Sequence, residues 1–310
     1  MRVLVTGANG FVGSVLYNKL KEECSLDVVG TVRKNEDPYL SGVLSVGSID
    51  ARTDWTEALE GVSVVVHCAA HSHILKSDSE KTISNYNKVN NEGTLNLAVQ
   101  ALKAGVKRFI FLSSIGVNGN KSVRPFSFND TPSPYDSYSR SKYNAELGLE
   151  KISKKSTLEV VVIRPPLVYG KRAPGNFGSL LKLINKKLPL PLGAIHNKRS
   201  FIGINNLVDF ITICIKHPAA SGQTFLVSDD EDVSTTELLH SLIIASGRTP
   251  CLIPLNVTFL RFLASILGKS SVIDKLAGDL QIDMKHVKDT LQWKPLLTFN
   301  EGICECFSDD

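Results

Sequence analysis

The chain has 310 residues, of which 43% are hydrophobic and 21% charged, with a formal net charge of +4 at pH 7. This is an ordinary globular composition, and a chain of this length can bury a core that needs no disulfide or metal to hold it. The charge is small and contains no block of five or six like residues, so a nucleic-acid partner is not expected.

Six cysteines are scattered along the chain without the spacing of a zinc site, so no metal is expected. The N-terminus leads directly into a strand pattern, and no apolar run reaches the ~20 residues that span a bilayer. We therefore expect neither a signal peptide nor a membrane span, and a cytoplasmic protein.

Short apolar runs alternate with helical patterns in the first half of the chain. The predicted strands are residues 2–6, 28–32, 62–67, 109–112 and 158–163, and the predicted helices are residues 11–22, 55–59, 85–102 and 138–152. Alternation of this kind predicts an α/β fold with a parallel sheet, and runs that are apolar throughout predict strands covered on both faces.

The composition of the sequence changes after about Tyr169, where prolines become frequent. Helical patterns follow at residues 177–186, 206–216, 235–245 and 257–267. We expect a dinucleotide-binding domain over residues 1–170 and a smaller, mostly helical substrate lobe over residues 171–310, parts of which rejoin the main domain.

Three glycines with the spacing G-x-x-G-x-x-G lie between the first strand and the first helix. Glycines in this position allow a tight turn, a close approach of backbone to a pyrophosphate and close packing of helix on strand. The N–H groups at the start of the helix then face the phosphates. The predicted contacts are Gly7, Asn9, Gly10, Phe11, Val12 and Gly13.

The end of the second strand bears on which nicotinamide dinucleotide is bound. NAD sites tend to carry an acid there for the ribose hydroxyls, but Arg33 and Lys34 follow this strand and no carboxylate precedes Glu36. Arg33 could receive a 2′-phosphate. The sequence therefore favours NADP(H) over NAD(H).

Tyr138 and Lys142 are four residues apart and share one face of a predicted helix. An ammonium beside a phenol favours the phenolate, which makes Tyr138 a candidate acid and base. Ser114 follows the fourth predicted strand, at the edge of a parallel sheet where ligands collect. Ser113 and Ser114 at this edge are therefore candidates to contact a ligand.

These motifs resemble the extended short-chain dehydrogenase/reductase family of the NAD-dependent epimerase/dehydratase type. The similar segments are TGANGFVG at the glycine loop, SSIGVNG after the fourth strand, YSRSK on the helix and RPPLVYG after the fifth strand. The family often has SSxxVYG, so Asn118 replaces the usual Tyr. The matching position implies that Ser114, rather than Ser113, hydrogen-bonds the reacting oxygen. The resemblance implies a Rossmann-type doubly wound sheet and a nucleotide-sugar substrate.

Matching positions imply further site residues. Cofactor contacts are implied for Ala69, Ala70, Pro165 and Val168, in addition to Tyr138 and Lys142, and diphosphate-sugar contacts for Asn176 and Arg199, in addition to Ser114. A structural role near the active strand is implied for Asn90. The resemblance also implies a homodimer formed through the helices at residues 85–102 and 138–152.

One sub-group resembles the chain more than the others: bacterial 4-ketoreductases of UDP-N-acetyl-hexosamine metabolism, which make quinovosamine- or fucosamine-type sugars for surface polysaccharide. The implied reaction is reduction of a 4-keto group on a UDP-linked hexosulose. Similar chains also act as 4-epimerases that retain NAD, and some relatives are non-catalytic NADP-binding sensors that have lost the Tyr or Lys. A 4,6-dehydratase is disfavoured because Ser113-Ser114-Ile115 stands where dehydratases carry an acidic motif.

Overall fold

A computed structural model describes residues 1–34, 42–72, 80–186, 188–266, 268 and 270–308. Ten strands lie within these residues. They are β1 (Arg2–Thr6), β2 (Asp27–Val32), β3 (Val43–Ser45), β4 (Val64–His67), β5 (Arg108–Leu112), β6 (Glu159–Arg164), β7 (Leu167–Tyr169), β8 (Arg199–Gly203), β9 (Thr224–Leu226) and β10 (Asp232–Val233).

Eleven α-helices surround these strands in the described part of the chain. They are α1 (Phe11–Lys21), α2 (Glu80–Tyr86), α3 (Thr94–Lys103), α4 (Ser137–Ser153), α5 (Gly175–Asn185), α6 (Ile204–Lys216), α7 (Thr235–Ala245), α8 (Val257–Ile266), α9 (Ser270–Ala277), α10 (Lys285–Leu291) and α11 (Phe299–Glu305). Leu267, the predicted end of the helix that corresponds to α8, lies outside the described residues.

Seven strands form one sheet in the order β3-β2-β1-β4-β5-β6-β9. Every neighbouring pair in it is parallel. The order reverses between β1 and β4, where Thr6 lies opposite His67. This confirms the predicted Rossmann-type fold, in which ligands bind beyond the carboxyl ends of the strands at the point of reversal.

The two faces of the sheet bury alternate residues of each strand. Val3 and Val5 of β1 belong to one apolar cluster, which includes side chains of α1 and α6. Leu4 belongs to a second cluster on the opposite face, with side chains of α3 and α4. Alternation with a period of two follows from the pleat, and it explains why the strands are apolar throughout.

The prediction of a helix at residues 55–59 was wrong, because this segment forms turns. Trp55 and Leu59 are fully buried, and the Leu59 N–H donates to the Trp55 carbonyl (2.9 Å). Gly61 then takes φ +65 and ends the turn. A single turn is too short to be stable as a helix, so packing of Trp55 and Leu59 sets the conformation.

The predicted helix at residues 85–102 contains an unexpected wide turn. A π-helix spans Asn87–Gly93 and joins α2 to α3. Such turns are often found at functional sites, because the extra residue per turn redirects a side chain. Here the redirected side chain is the buried Asn90.

The second half of the chain contributes to both parts of the molecule. β9 pairs with β6 at the edge of the large sheet, and α6 packs against α1. A smaller sheet has the order β10-β8-β7, and a third apolar cluster surrounds it, with side chains of α5, α7 and α11. No helix in the described residues is long and apolar enough to cross a membrane.

Candidate active site

The glycine loop joins β1 to α1 at the point where the sheet order reverses. Gly7 has φ +69, and a Cβ there would lie 3.0 Å from the Cα of Ala69. A Cβ on Gly13 would lie 2.1 Å from the Gly7 carbonyl oxygen, so only glycine lets the helix approach the loop this closely. Gly10 precedes α1, and among the described residues no side chain caps this helix. The N–H groups of the first turn therefore remain available to phosphate oxygens.

The segment after β4 lies over this loop and is tied to it by a chain of hydrogen bonds. The Ala69 N–H donates to Thr6 Oγ1 (3.2 Å), which is bonded in turn to Nδ1 of His67 (2.8 Å). His67 Nε2 is bonded to Thr94 Oγ1 (3.0 Å), whose hydroxyl donates to the Asn90 carbonyl (2.7 Å). Because the Thr94 proton is used there, Nε2 carries the ring proton and Nδ1 accepts from Thr6.

His67 is consequently a neutral structural residue. Burial, and to a smaller extent the positive charge of Lys142, lowers its pKa to about 3. A neutral ring with both nitrogens bonded fixes the carboxyl ends of β1 and β4 relative to each other. Ala69 and Ala70, the small residues that follow, are partly exposed beside the glycine loop.

The end of β2 presents exposed basic side chains. Arg33 and Lys34 are both exposed, and the positive charge of Arg33 contributes to lowering the pKa of His71. Arg33 therefore lies on the same edge of the sheet as the segment that follows β4. Glu36, the first carboxylate after this strand, lies outside the described residues.

The two serines after β5 differ in what their hydroxyls do. Ser113 is buried, and its hydroxyl donates to the carboxylate of Glu146. Ser114 is partly exposed, and its oxygen accepts from the Gly116 N–H (3.1 Å) at the start of a short 3-10 helix, Ile115–Val117. Within the part of the chain that the structure describes, no acceptor takes the Ser114 proton, so it can be donated to a ligand.

Tyr138 lies in the first turn of α4. Asp136 caps this helix by accepting the Ser139 N–H (2.7 Å). The Tyr138 ring meets that of Tyr86 edge-on, with centroids 5.8 Å apart. Burial raises the Tyr138 pKa well above its usual value, and the charge of Asp136 raises it further.

Lys142 is fully buried one turn further along α4. Its ammonium donates to the Leu112 carbonyl (2.9 Å) at the end of β5 and lies 4.6 Å from the centre of the Phe111 ring. Burial lowers the Lys142 pKa to about 8. In this arrangement the ammonium is held by β5, and the expected lowering of the Tyr138 pKa by Lys142 is not observed, because burial of the phenol dominates.

Asn90 joins the π-helix to the segment after β4 and to α4. Its amide oxygen accepts the His71 N–H (2.7 Å), and its amide nitrogen donates to the His71 carbonyl (3.0 Å) and to Ser141 Oγ (3.0 Å). The Ser141 hydroxyl donates to the Tyr138 carbonyl (2.7 Å). Asn90 thus has the structural role that the resemblance implied. Its partner on α4, Ser141, is the residue before Lys142.

A buried ion pair lies behind the serines. Arg164, at the end of β6, donates to both carboxylate oxygens of Glu146 (3.0 and 2.5 Å), and both side chains are less than a tenth exposed. Arg164 also donates to Asn118 Oδ1 (2.9 Å). The pair links β5, β6 and α4, and it explains what Asn118 does in place of the usual Tyr.

The RPPLVYG segment lies beside the glycine loop. The Pro165 carbonyl accepts the Ile115 N–H (2.9 Å), so this segment is bonded to the turn that carries Ser114. Val168 of β7 packs against the same apolar cluster as Phe11 and Val12 of α1. The structure therefore brings the predicted cofactor residues to one edge of the sheet.

The two predicted substrate residues lie on different elements of the lobe. Arg199 begins β8 and donates to the carbonyls of Lys275 (2.7 Å) and Gly278 (3.1 Å), and its charge acts on the phenol of Tyr135. Asn176 is exposed in the first turn of α5. Within the described residues, Asn176 and Arg199 share no hydrogen bond.

Several residues at this edge were not predicted from the sequence. His71 has a buried Nε2 without a hydrogen-bond partner among the described residues, and Tyr86 packs between His71 and Tyr138. The Glu146–Arg164 pair was also missed. The i, i+4 spacing of Lys142 and Glu146 on one helix face was the available signal for Glu146. No group of three metal-ligating side chains is found in the part of the chain that the structure describes.

The residues at this edge fit a nicotinamide dinucleotide. Gly7 and Gly13 bring the backbone of the loop close to its neighbours, and among the described residues no side chain caps the start of α1. Lys142 is bonded to the end of β5 at the same edge of the sheet, one helical turn from Tyr138. When bound, such a cofactor supplies or accepts a hydride. The chain's own residues would hold it and move the proton.

Comparisons with known proteins agree with this geometry. The chain is 45% identical over 306 residues to a UDP-glucose 4-epimerase of Vibrio cholerae, covering 97% of this chain and 93% of that protein. It is 31% identical over 240 residues to an Escherichia coli O157:H7 N-acetyl-alpha-D-glucosaminyl-diphospho-ditrans,octacis-undecaprenol 4-epimerase, covering 76% of this chain and 70% of that protein.

Solved structures share the fold at lower identity. A UDP-glucuronic acid 4-epimerase from Bacillus cereus in complex with NAD is 22% identical with a TM-score of 0.77, covering 98% of this chain and 95% of that one. A UDP-glucose 4-epimerase from Thermotoga maritima with UDP-glucose is 22% identical with a TM-score of 0.77, covering 99% of this chain and 97% of that one. The model of the NAD dependent epimerase/dehydratase family matches residues 3–228. The chain therefore belongs to the NAD dependent epimerase/dehydratase family, within the extended short-chain dehydrogenases/reductases.

Proposed function

We propose that this protein reduces the 4-keto group of a UDP-linked hexosulose, with hydride supplied by NADPH. The proposal of a reductase depends on one observation, the exposed Arg33 and Lys34 at the end of β2, where NAD-binding sites tend to carry an acid. A reductase exchanges its cofactor in every turnover and can use NADPH. A 6-deoxy, N-acetylated sugar for surface polysaccharide is the substrate that the sequence resemblance favours.

Three side chains carry the chemistry in this proposal. Tyr138 donates a proton to the oxygen at C4, and Ser114 donates a hydrogen bond to the same oxygen with the proton that it has free. Lys142 binds the nicotinamide ribose with its ammonium. Moving Lys142 from the Leu112 carbonyl toward the ribose would also bring its charge closer to the Tyr138 phenol and lower the Tyr138 pKa.

Cofactor preference is tested by titrating the purified protein with NADPH and NADH. We expect tighter binding of NADPH, and we expect Arg33→Asp to weaken NADPH binding while NADH binding is kept. Ser45→Ala is a matched control, because its hydroxyl donates to the Arg33 carbonyl and not to the guanidinium. Tighter binding of NADH by the wild type would contradict the preference.

Substrate binding is assigned to the lobe over residues 171–310, and cofactor binding to the domain over residues 1–170. Arg199 is partly buried and presents a planar set of donors that suits phosphate oxygens. Asn176 is exposed on α5 and has an amide that could meet the same diphosphate. Contacts remote from C4 would then orient the sugar ring toward Tyr138.

A 4-epimerase with retained NAD is the second candidate, favoured by the names of both relatives described above. An epimerase oxidises C4 and returns the same hydride to the other face, so it needs no exchange of cofactor. Stoichiometric NAD in the purified protein, together with isomerisation of UDP-glucose or UDP-N-acetylglucosamine without added cofactor, would establish the epimerase. If the purified protein contains no bound NAD and its turnover requires NADPH, the protein is the reductase.

A homodimer is the proposed assembly. Val99 on α3 and Leu147 on α4 are apolar and more than a third exposed, and the two helices pack together. Exposed apolar side chains on adjacent helices support burial against a second copy of the same pair.

A further inference from the structure

Helix α8 has two apolar faces, and among the described residues only one of them packs against the protein. Leu260 and Ala264 are buried, one turn apart. The other face follows the spacing i, i+3, i+4, i+7, the pattern of an apolar helix stripe. It consists of Phe259, Phe262, Leu263 and Ile266, which are 49%, 60%, 40% and 67% exposed. We call these four residues the outer face of α8.

The sequence segment that contains this face is apolar and carries a net positive charge. α8 packs on α9, where Val272 is also exposed. Residues 248–277 contain four basic side chains and one acid, a net formal charge of +3, and α8 itself contains Arg261 and no acid. Arg261 bonds the single acid, Asp274 (3.0 Å), and the remaining excess of the segment is positive.

The outer face is connected to the proposed diphosphate site. The carboxyl end of α9 supplies the Lys275 and Gly278 carbonyls that hold the Arg199 guanidinium. A surface that binds the outer face of α8 would therefore lie next to α9, the helix whose carboxyl end holds Arg199.

We propose that the outer face of α8 binds the surface of an anionic lipid bilayer. Two Phe, a Leu and an Ile at helical spacing, in a segment of net positive charge, are typical of helices that lie in the interface plane with the apolar face among the acyl chains. Anionic headgroups attract the net positive charge. A second copy would bring the same positive segment against itself, because a two-fold contact pairs like with like.

Vesicle sedimentation tests this proposal without substrate or cofactor, so its result is independent of the proposed function. The wild type is mixed with vesicles of phosphatidylglycerol and phosphatidylethanolamine, or of phosphatidylcholine alone. We expect binding to the anionic vesicles, weaker binding to the neutral ones, and weakening as NaCl rises from about 0.05 to about 0.5 M.

Phe259→Ser combined with Phe262→Ser should lower binding to anionic vesicles at least about tenfold, since both rings leave the acyl boundary. Leu296→Ser is the matched control, because Leu296 is 66% exposed and lies outside α8 and α9. Thermal unfolding of each variant reports whether it is folded. If the double variant does not fold, the dependence of wild-type vesicle binding on salt and on headgroup charge still tests the proposal.

Three results would overturn the proposal: a wild type that does not bind vesicles, equal binding to anionic and neutral vesicles, or equal binding of the wild type and the double variant. Light scattering provides a further test. A drop in oligomeric mass in the double variant would mean that another copy of the chain covers this face, and would also overturn the proposal.

Discussion

Ser113 and Ser114 are adjacent hydroxyls with different chemical capacities. The Ser113 hydroxyl donates its proton to Glu146, whereas among the described residues the Ser114 oxygen accepts from the Gly116 N–H and its proton has no acceptor. A hydroxyl has one proton to donate, so only Ser114 can polarise a ligand oxygen without breaking a bond. Local hydrogen bonding thus distinguishes two residues that are equivalent in the sequence.

Tyr138→Phe removes the proposed acid and base. We expect kcat to fall about 10²–10⁴-fold while cofactor affinity is kept, because the ring and its packing on Tyr86 remain. Tyr143→Phe is the matched control: Tyr143 lies on the same helix but is turned to a different face, and it should retain its rate. Equal loss in the two variants would argue against a special role for Tyr138.

The lowered pKa of Lys142 predicts that cofactor binding depends on pH. Burial lowers its pKa to about 8, so the ammonium becomes a neutral amine as pH rises through that value. We expect NADPH affinity to decrease across the same interval, and Lys142→Met to bind weakly with no such decrease. Fluorescence titration at a series of pH values measures both. An unchanged wild-type affinity up to about pH 9.5 would contradict the assignment.

The same shift has a consequence for stability. The unfolded chain keeps the Lys142 proton up to its ordinary pKa near 10.5, while the folded chain releases it near 8. The unfolded state therefore binds more protons between these values, and this group makes the free energy of unfolding increase with pH there. Below about pH 8 the buried ammonium is a destabilising group.

At the scale of elements, the Glu146–Arg164 pair links α4 to the ends of β5 and β6. Glu146→Ala leaves the Arg164 charge buried without its partner, which should lower the free energy of unfolding by about 3–5 kcal/mol. Glu150→Ala removes an exposed partner of Lys154 one turn later on the same helix and should change little. Urea unfolding measures both, and equal effects would mean that the pair does not hold these elements together.

The elements divide into those that local sequence predicts and those that it does not. Buried strands such as β1 and β5 read directly from apolar runs, and the glycine spacing fixed the loop at Gly7. The edge strand β9 was not assigned, because three residues are too few to show a periodic pattern. Its partner strand β6 lies about sixty residues earlier in the chain. The turn at Trp55 was mistaken for a helix for a similar reason, since long-range burial decides it.

The site shows the same division. Ser114, Tyr138 and Lys142 were predicted because each sits on an element whose end could be located. Asn90 could be matched by resemblance, but the π-helix that turns it toward His71 and Ser141 has no signature in the sequence. The pairing of Glu146 with Arg164 is a contact between separate elements, which spacing along the chain does not show.

At the scale of the whole molecule, the proposed dimer predicts a specific sensitivity. Val99→Arg together with Leu147→Arg places two charges on the α3–α4 surface and should convert a dimer to a monomer. Ile244→Arg on α7 is the control, because Ile244 is about half exposed and lies away from that surface. Light scattering reports the mass. A wild-type monomer, or a dimer unaffected by the double substitution, would contradict the proposed interface.

The reaction itself gives the most direct test of the proposed function. The purified protein is incubated with a UDP-4-keto-6-deoxy-N-acetylhexosamine and NADPH deuterated at C4 of the nicotinamide, and the product is examined by NMR. The account predicts one deuterium at C4 of the sugar and one NADPH oxidised per product molecule. Isomerisation of a UDP-hexose with no added cofactor, and no oxidation of NADPH with the keto sugar, would contradict it.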